Sequence, residues 1–122
     1  MKQKPPFTAE FESQDDLGAQ VWRLSGKMVG GNCCYDFLDT VRENVGKGQV
    51  NPILDLTEIA WANSTGVGVL ASIFNAARDA GGQMVLVGAT ERVRSVLQVV
   101  NLWSMVSAFD SVEEAKKHLG SQ

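Results

Sequence analysis

The stretch WANSTGVGVL, Trp61 to Leu70, places Asn63, Ser64, Thr65, Gly66 and Gly68 between an apolar, strand-like run and the start of a helix. Glycine inside a helix costs about 1 kcal/mol relative to alanine, so two of them in the opening turns need a reason. Either the backbone there packs unusually close to a neighbour, or the hydroxyls at the helix mouth serve a purpose that requires bare surroundings. Ser64 can be the N-cap, its side-chain oxygen accepting from a backbone N–H two or three residues on. Alternatively its hydroxyl stands exposed, where an added phosphate would meet the positive end of the helix dipole.

Working outward, Val50, Ile53, Leu54 and Leu56 form an apolar run bounded by Gly48 and Thr57, which predicts a central strand buried on both faces. The helix opening near Ser64 continues to about Ala80, with Leu70, Ile73, Phe74 and Ala77 on one face and Gly81 and Gly82 ending it. Met84 to Val87 reads as the neighbouring parallel strand. Thr90 caps a helix whose Val93, Val96, Leu97 and Val100 share a face and which Asn101 closes. Val106 to Phe109 is a short last strand, and Ser111 with Glu114 has capping-box spacing ahead of a helix that turns Ala115 and Leu119 inward.

Towards the N-terminus, segments Phe7 to Ser13 and Ala19 to Ser25 flank the turn residues Asp15, Asp16 and Gly18, giving an antiparallel hairpin. After Gly26, Gly30 and Gly31, the spacing of Cys34, Phe37, Leu38 and Val41 predicts a first helix from about Asn32 to Val45, stopping at Gly46. The order is β-β-α-β-α-β-α-β-α: an α/β fold, one domain over residues 1–122, with a mixed sheet of about four to five strands and about four helices. In such sheets, sites form outside the carboxyl ends of parallel strands, where the next helix begins. Ser64 lies at such a place.

Composition narrows the function. The chain has 122 residues, 44% apolar and 20% charged, with net charge -3 and eleven scattered Lys and Arg. That is ordinary globular composition, and it excludes nucleic acid as the expected partner. No apolar run approaches the roughly 18 residues of a membrane span, so no membrane insertion is expected. The start MKQKPPFTAEFE lacks an apolar signal core, which predicts a cytoplasmic protein. Adjacent Cys33 and Cys34 read as reduced, buried and unreactive thiols. With one histidine, His118, no Cys/His metal cluster can form.

Enzymatic readings find little support. A serine hydrolase needs a base, and His118 lies on the last helix, away from the expected mouth; the G-x-S-x-G elbow and the G-x-x-x-x-G-K-[ST] phosphate loop are both absent. Asp55, at the expected end of the central strand, reads as a local hydrogen-bond acceptor. Trp61 and Trp103 read as core or edge packing. No cofactor and no catalytic residue are expected.

The residues ILDLTEIAWANSTGVGVL, then GGQMVLVGATERVRSVLQVVNLWSMV and FDSVEEA, resemble a STAS domain, and more narrowly the bacterial anti-sigma factor antagonists. The likeness extends from Leu24–Gly26 to the final helix. The family signature is D-S-[ST]-G, whose first serine is phosphorylated by a partner that is both serine kinase and anti-sigma factor. The resemblance implies that Ser64 is the phosphoacceptor, that Asn63, Ser64, Thr65, Gly66 and Gly68 form the partner-binding mouth, and that a phosphatase reverses the modification. It implies binding when Ser64 is free and release when it is phosphorylated. Asn63 replaces the signature acid, keeping an acceptor but losing the charge. The other reading is a constitutive STAS scaffold, or a subunit of a stress-signalling or lipid-transport complex, that works without phosphorylation.

Overall fold

The computed structural model describes residues 7–121. Strands β1 (Phe7–Gln14) and β2 (Ala19–Met28) form the expected antiparallel hairpin. Its turn is held by the Asp15 carboxylate, which accepts from the N–H groups of Leu17 and Ala19 at 2.9 and 3.2 Å. There follow α1 (Asn32–Gly46), β3 (Asn51–Ala62), α2 (Ser64–Asp79), β4 (Val85–Val87), α3 (Glu91–Val99), β5 (Ser107–Phe109) and α4 (Val112–Gly120). The five strands lie in sequence order, and every pair after the first is parallel. The expected α/β fold, with β3 and β4 as parallel neighbours, is the observed one.

A strand buried on both faces sends alternate side chains into different layers. Leu54, Leu56 and Ile59 of β3 join Leu24, Leu86, Leu70, Ile73, Val93 and Leu97 in the larger core under α1, α2 and α3. Ile53 points the other way and meets Val21, Val85, Val87, Ala115 and Leu119 under α4. Gln20 is the polar exception, fully buried in β2. Its amide donates to the carbonyls of Val41 and Gln49 at 3.2 and 2.9 Å, and its oxygen accepts from Trp22 Nε1 at 2.8 Å and Asn44 Nδ2 at 3.3 Å. All four hydrogen-bonding positions of the amide are used, so its burial is compensated.

Several elements differ from the sequence reading. The central strand does not stop at Thr57 but continues to Ala62, because β2 runs beside it as a parallel partner as far as Met28 and because Ile59 and Ala62 are buried. Asp55 is therefore mid-strand. Its Oδ1 accepts from the N–H and hydroxyl of Thr57 at 3.0 and 2.6 Å, the local role expected of it. β4 pairs only with Ile53 to Asp55, so the far halves of β2 and β3 project beyond it as a two-stranded extension. Helix α2 starts from the tip of that extension.

Downstream, Thr90 caps α3, accepting from Val93 N–H at 3.4 Å, and Asn101 takes the left-handed conformation with φ 62° that closes a helix. Val100 does not share the buried face: the last turn of α3 rolls it into solvent. A single 3₁₀ turn, Trp103–Met105, precedes β5. Ser111 caps α4 through Glu114 N–H at 3.1 Å, while the Glu114 carboxylate reaches back to Asp110 N–H at 3.4 Å. No helix among the described residues is long and apolar enough to cross a membrane.

Candidate functional site

The tips of β2 and β3 end side by side, Met28 opposite Ala62. The next residue, Asn63, ties three segments together. Its N–H donates to the Met28 carbonyl at 3.1 Å, its Oδ1 accepts from Gly66 N–H at 3.0 Å, and its Nδ2 donates to the Val29 carbonyl at 3.3 Å. Asn63 is thus the N-cap of α2. Ser64, the first candidate for that role in the sequence, is instead the first helical residue. Asparagine caps as well as serine does, and here its amide has a second bond that a serine hydroxyl at this position would not supply.

Relieved of capping, the Ser64 side chain has no hydrogen-bond partner among the described residues, and the residue is exposed, as is Thr65. The N–H groups of Ser64 and Thr65 precede any intrahelical acceptor, so an anion at this turn would meet free donors and the positive end of the sixteen-residue α2 dipole. The two glycines have different explanations. Gly66 is buried, and a Cβ there would run into the Met28 carbonyl, coming within 2.8 Å of Met28 Cβ as well. Its bareness is required by packing of the helix on the strand tip and not by access for a partner. Gly68 is exposed, and a Cβ there would meet nothing within 4 Å. It leaves the mouth open.

Thr65 supports the loop before α1. Gly30, with φ 95°, sits so close that a Cβ would lie 2.8 Å from Thr65 Cγ2. The mouths of α1 and α2 therefore lie side by side at one end of the sheet.

The remaining candidates lie elsewhere. His118 is at the other end of the strands, with its Nε2 3.1 Å from Gln83 Oε1 and 3.4 Å from Ser107 Oγ, and its ring against Phe109. It cannot serve Ser64 as a base. The two thiols are both free, but only Cys34 is buried; Cys33 is exposed, on the solvent side of the first turn of α1. Trp61 and Trp103 are half-buried, Trp103 against the larger core. Among the described residues no group of three or more His, Cys, Asp or Glu is placed to hold a metal ion. The capping role of Asn63 was legible in principle, since N-x-x-G before an apolar helical run has the spacing of a side-chain cap.

Known proteins share this architecture. A Thermotoga neapolitana protein assigned as an anti-sigma factor antagonist is 33% identical over 73 residues, 60% of this chain, and the match spans 65% of that relative's length. A crystal structure of a Thermotoga maritima protein assigned in the same way superposes with a TM-score of 0.74 at 26% identity, covering 89% of this chain and 93% of the other. The anti-sigma factor antagonist SpoIIAA has the same fold. Its unphosphorylated form gives a TM-score of 0.77 at 19% identity, over 95% of this chain and 97% of that one. Its phosphorylated form, from Bacillus, gives 0.72 at 18%, over 93% and 98%. The family model of the STAS domain matches residues 10–115, and with that match, on this sheet order and helix placement, the chain belongs to the STAS domain family.

Proposed function

We propose that this protein is a non-enzymatic, cytoplasmic anti-sigma factor antagonist whose binding is switched at Ser64. With Ser64 free it binds an anti-sigma factor that is also a serine kinase; with Ser64 phosphorylated it releases that partner, and a phosphatase resets it. The observation that carries the reading is the unbonded, exposed Ser64 hydroxyl on the first turn of α2, beside open Gly68, on a helix mouth already capped by Asn63. A phosphate there would replace no structural contact of the serine, and it would face the positive end of the helix. The relatives assigned as anti-sigma factor antagonists support the partner class.

The test is to incubate the protein with ATP and each purified anti-sigma factor kinase of the source cell, then map the phosphopeptides. One phosphate on Ser64, and none on a Ser64→Ala variant, is expected. Phosphate confined to another residue, or none with any kinase, contradicts the switch. The second reading, a constitutive scaffold, draws on Asn63: the position that carries an acid in the signature is occupied here by an amide whose donor is engaged by Val29. It requires binding that ignores the chemical state of Ser64.

A further inference from the structure

Helices α1 and α2 follow consecutive parallel strands and run in the same direction. Gly30, just before α1, touches the Thr65 side chain, and further along Arg42 of α1 shares one groove with Ser72, Asn75, Ala76 and Asp79 of α2. Tyr35 precedes Arg42 by seven residues, which is about two helical turns and returns to the same face. Thr65 precedes Ser72 by the same interval. Tyr35 thus stands on the α2-facing side of α1, level with the first turns of α2.

Tyr35 is anomalous in that place. It is 48% exposed, and its hydroxyl has no hydrogen-bond partner among the described residues. The surroundings of the two helix mouths are bare: Gly31 and Gly68 are exposed with open space where a Cβ would be, and Thr65 packs against Gly30. The adjoining mouths thus form a shelf that carries the exposed Ser64 hydroxyl on α2 and the exposed Tyr35 ring on α1. Tyrosine supplies a large contact area and a polar tip at small entropic cost, which is why it is enriched among residues that dominate protein–protein binding.

We propose that Tyr35 anchors the partner that reads Ser64: the anti-sigma factor kinase lies across the shelf, takes the Tyr35 ring into a pocket, and bonds its hydroxyl. The inference rests on the switch reading and adds to it the second contact point that fixes how the partner is oriented over Ser64. The footprint extends from α2 to α1 and is not confined to the signature turn. The adjoining groove at Arg42 and Asp79 carries both signs of charge and is outside it.

The test is a titration of the kinase that phosphorylates Ser64 against unmodified protein, Tyr35→Ala, Tyr35→Phe, Ser64→Asp and, as an exposed control on α3, Val99→Ala, with a melting curve for each. Tyr35→Ala is expected to lose affinity by about tenfold or more, with little change in the melting curve because about half of the residue is exposed and its hydroxyl bonds nothing within the described fold. Tyr35→Phe should lose less, and Val99→Ala nothing. Wild-type affinity in Tyr35→Ala, with Ser64→Asp still defective, overturns the anchor and leaves the switch standing. Wild-type affinity in both Tyr35→Ala and Ser64→Asp overturns both. Should Tyr35→Ala melt early, Tyr35→Ser and hydrogen-exchange protection of residues 30–36 in the wild-type complex decide, protection being expected and its absence contradicting the anchor.

Discussion

Gly66 rests on the carbonyl of Met28 so closely that there is no room for a methyl group between helix α2 and the tip of β2. The contact fixes the helix mouth to the sheet at the turn that carries Ser64. A neighbouring bond from Asn63 N–H to the same carbonyl, at 3.1 Å, reinforces it. A charge added at Ser64 therefore acts on a mouth held against the strand.

Two glycine substitutions separate packing from openness. Gly66→Ala forces α2 off the strand tip and should cost about 1–3 kcal/mol, as overpacking against backbone does. Gly68→Ala has space for its methyl and should gain up to about 1 kcal/mol from helix propensity. Its methyl also intrudes on the shelf beside Ser64, so partner binding should weaken even as the fold strengthens. Urea midpoints for the two variants, with affinity for the second, check both effects.

At Asn63 the order of stability should be Asn, then Asp, then Ala. Asn63→Ala removes the acceptor for Gly66 N–H, and losing an N-cap costs about 0.5–2 kcal/mol. Asn63→Asp keeps that acceptor and adds a charge at the positive end of the helix, worth about 0.3–1 kcal/mol. It also turns a carboxylate oxygen towards the Val29 carbonyl where the amide donated at 3.3 Å. Thermal melts rank the three; an aspartate variant more stable than the wild type would show that the bond to Val29 contributes little.

Gln20→Leu should be among the most damaging single changes in the chain. It strands Trp22 Nε1 and the carbonyl of Gln49 in the interior, together with the Val41 carbonyl and the Asn44 amide that also bond to Gln20. Unmet buried polar groups cost about 1–3 kcal/mol each, so the Trp22 and Gln49 groups alone account for an expected loss of about 2–6 kcal/mol. A urea midpoint equal to wild type would mean that the network adds nothing net.

The regular parts of this architecture were legible because they obey a period. Phe37, Leu38 and Val41 repeat at helical spacing and are buried, and Ile53, Leu54 and Leu56 form an apolar run, interrupted by Asp55, that proves to be the central strand. What escaped was set by contacts between distant segments. The extension of β3 to Ala62 depends on β2 running beside it, and nothing in the composition of Thr57 to Trp61 marks that partner. At the site, the turn was found from its own residues, but the division of labour within it was not. Ser64 and Asn63 are both good caps, and only the Val29 carbonyl, thirty-four positions away in sequence, selects the asparagine. Likewise Gly66 and Gly68 look alike in sequence, and Met28 tells them apart.

The central claim is that the charge state of Ser64 governs binding without altering the fold. Phosphate carries about -1.5 to -2 charges near neutral pH, and a like unit charge on the partner about 4 Å away would oppose binding by roughly 4 kcal/mol at an effective dielectric near 20. Since each 1.4 kcal/mol is about tenfold, a loss of about a hundredfold or more follows even when part of that energy is relaxed away. The most direct measurement is one titration series against the anti-sigma factor kinase, using unmodified, Ser64→Ala, Ser64→Asp and Ser64-phosphorylated protein, each with its melting curve. The expected result is full affinity in the first two, a partial loss in the aspartate variant, about a hundredfold loss or more in the phosphorylated form, and melting curves that stay together. Equal affinities in all four forms would contradict the switch, and lost binding accompanied by a collapsed melting curve would mean that the helix mouth, not the interface, had failed.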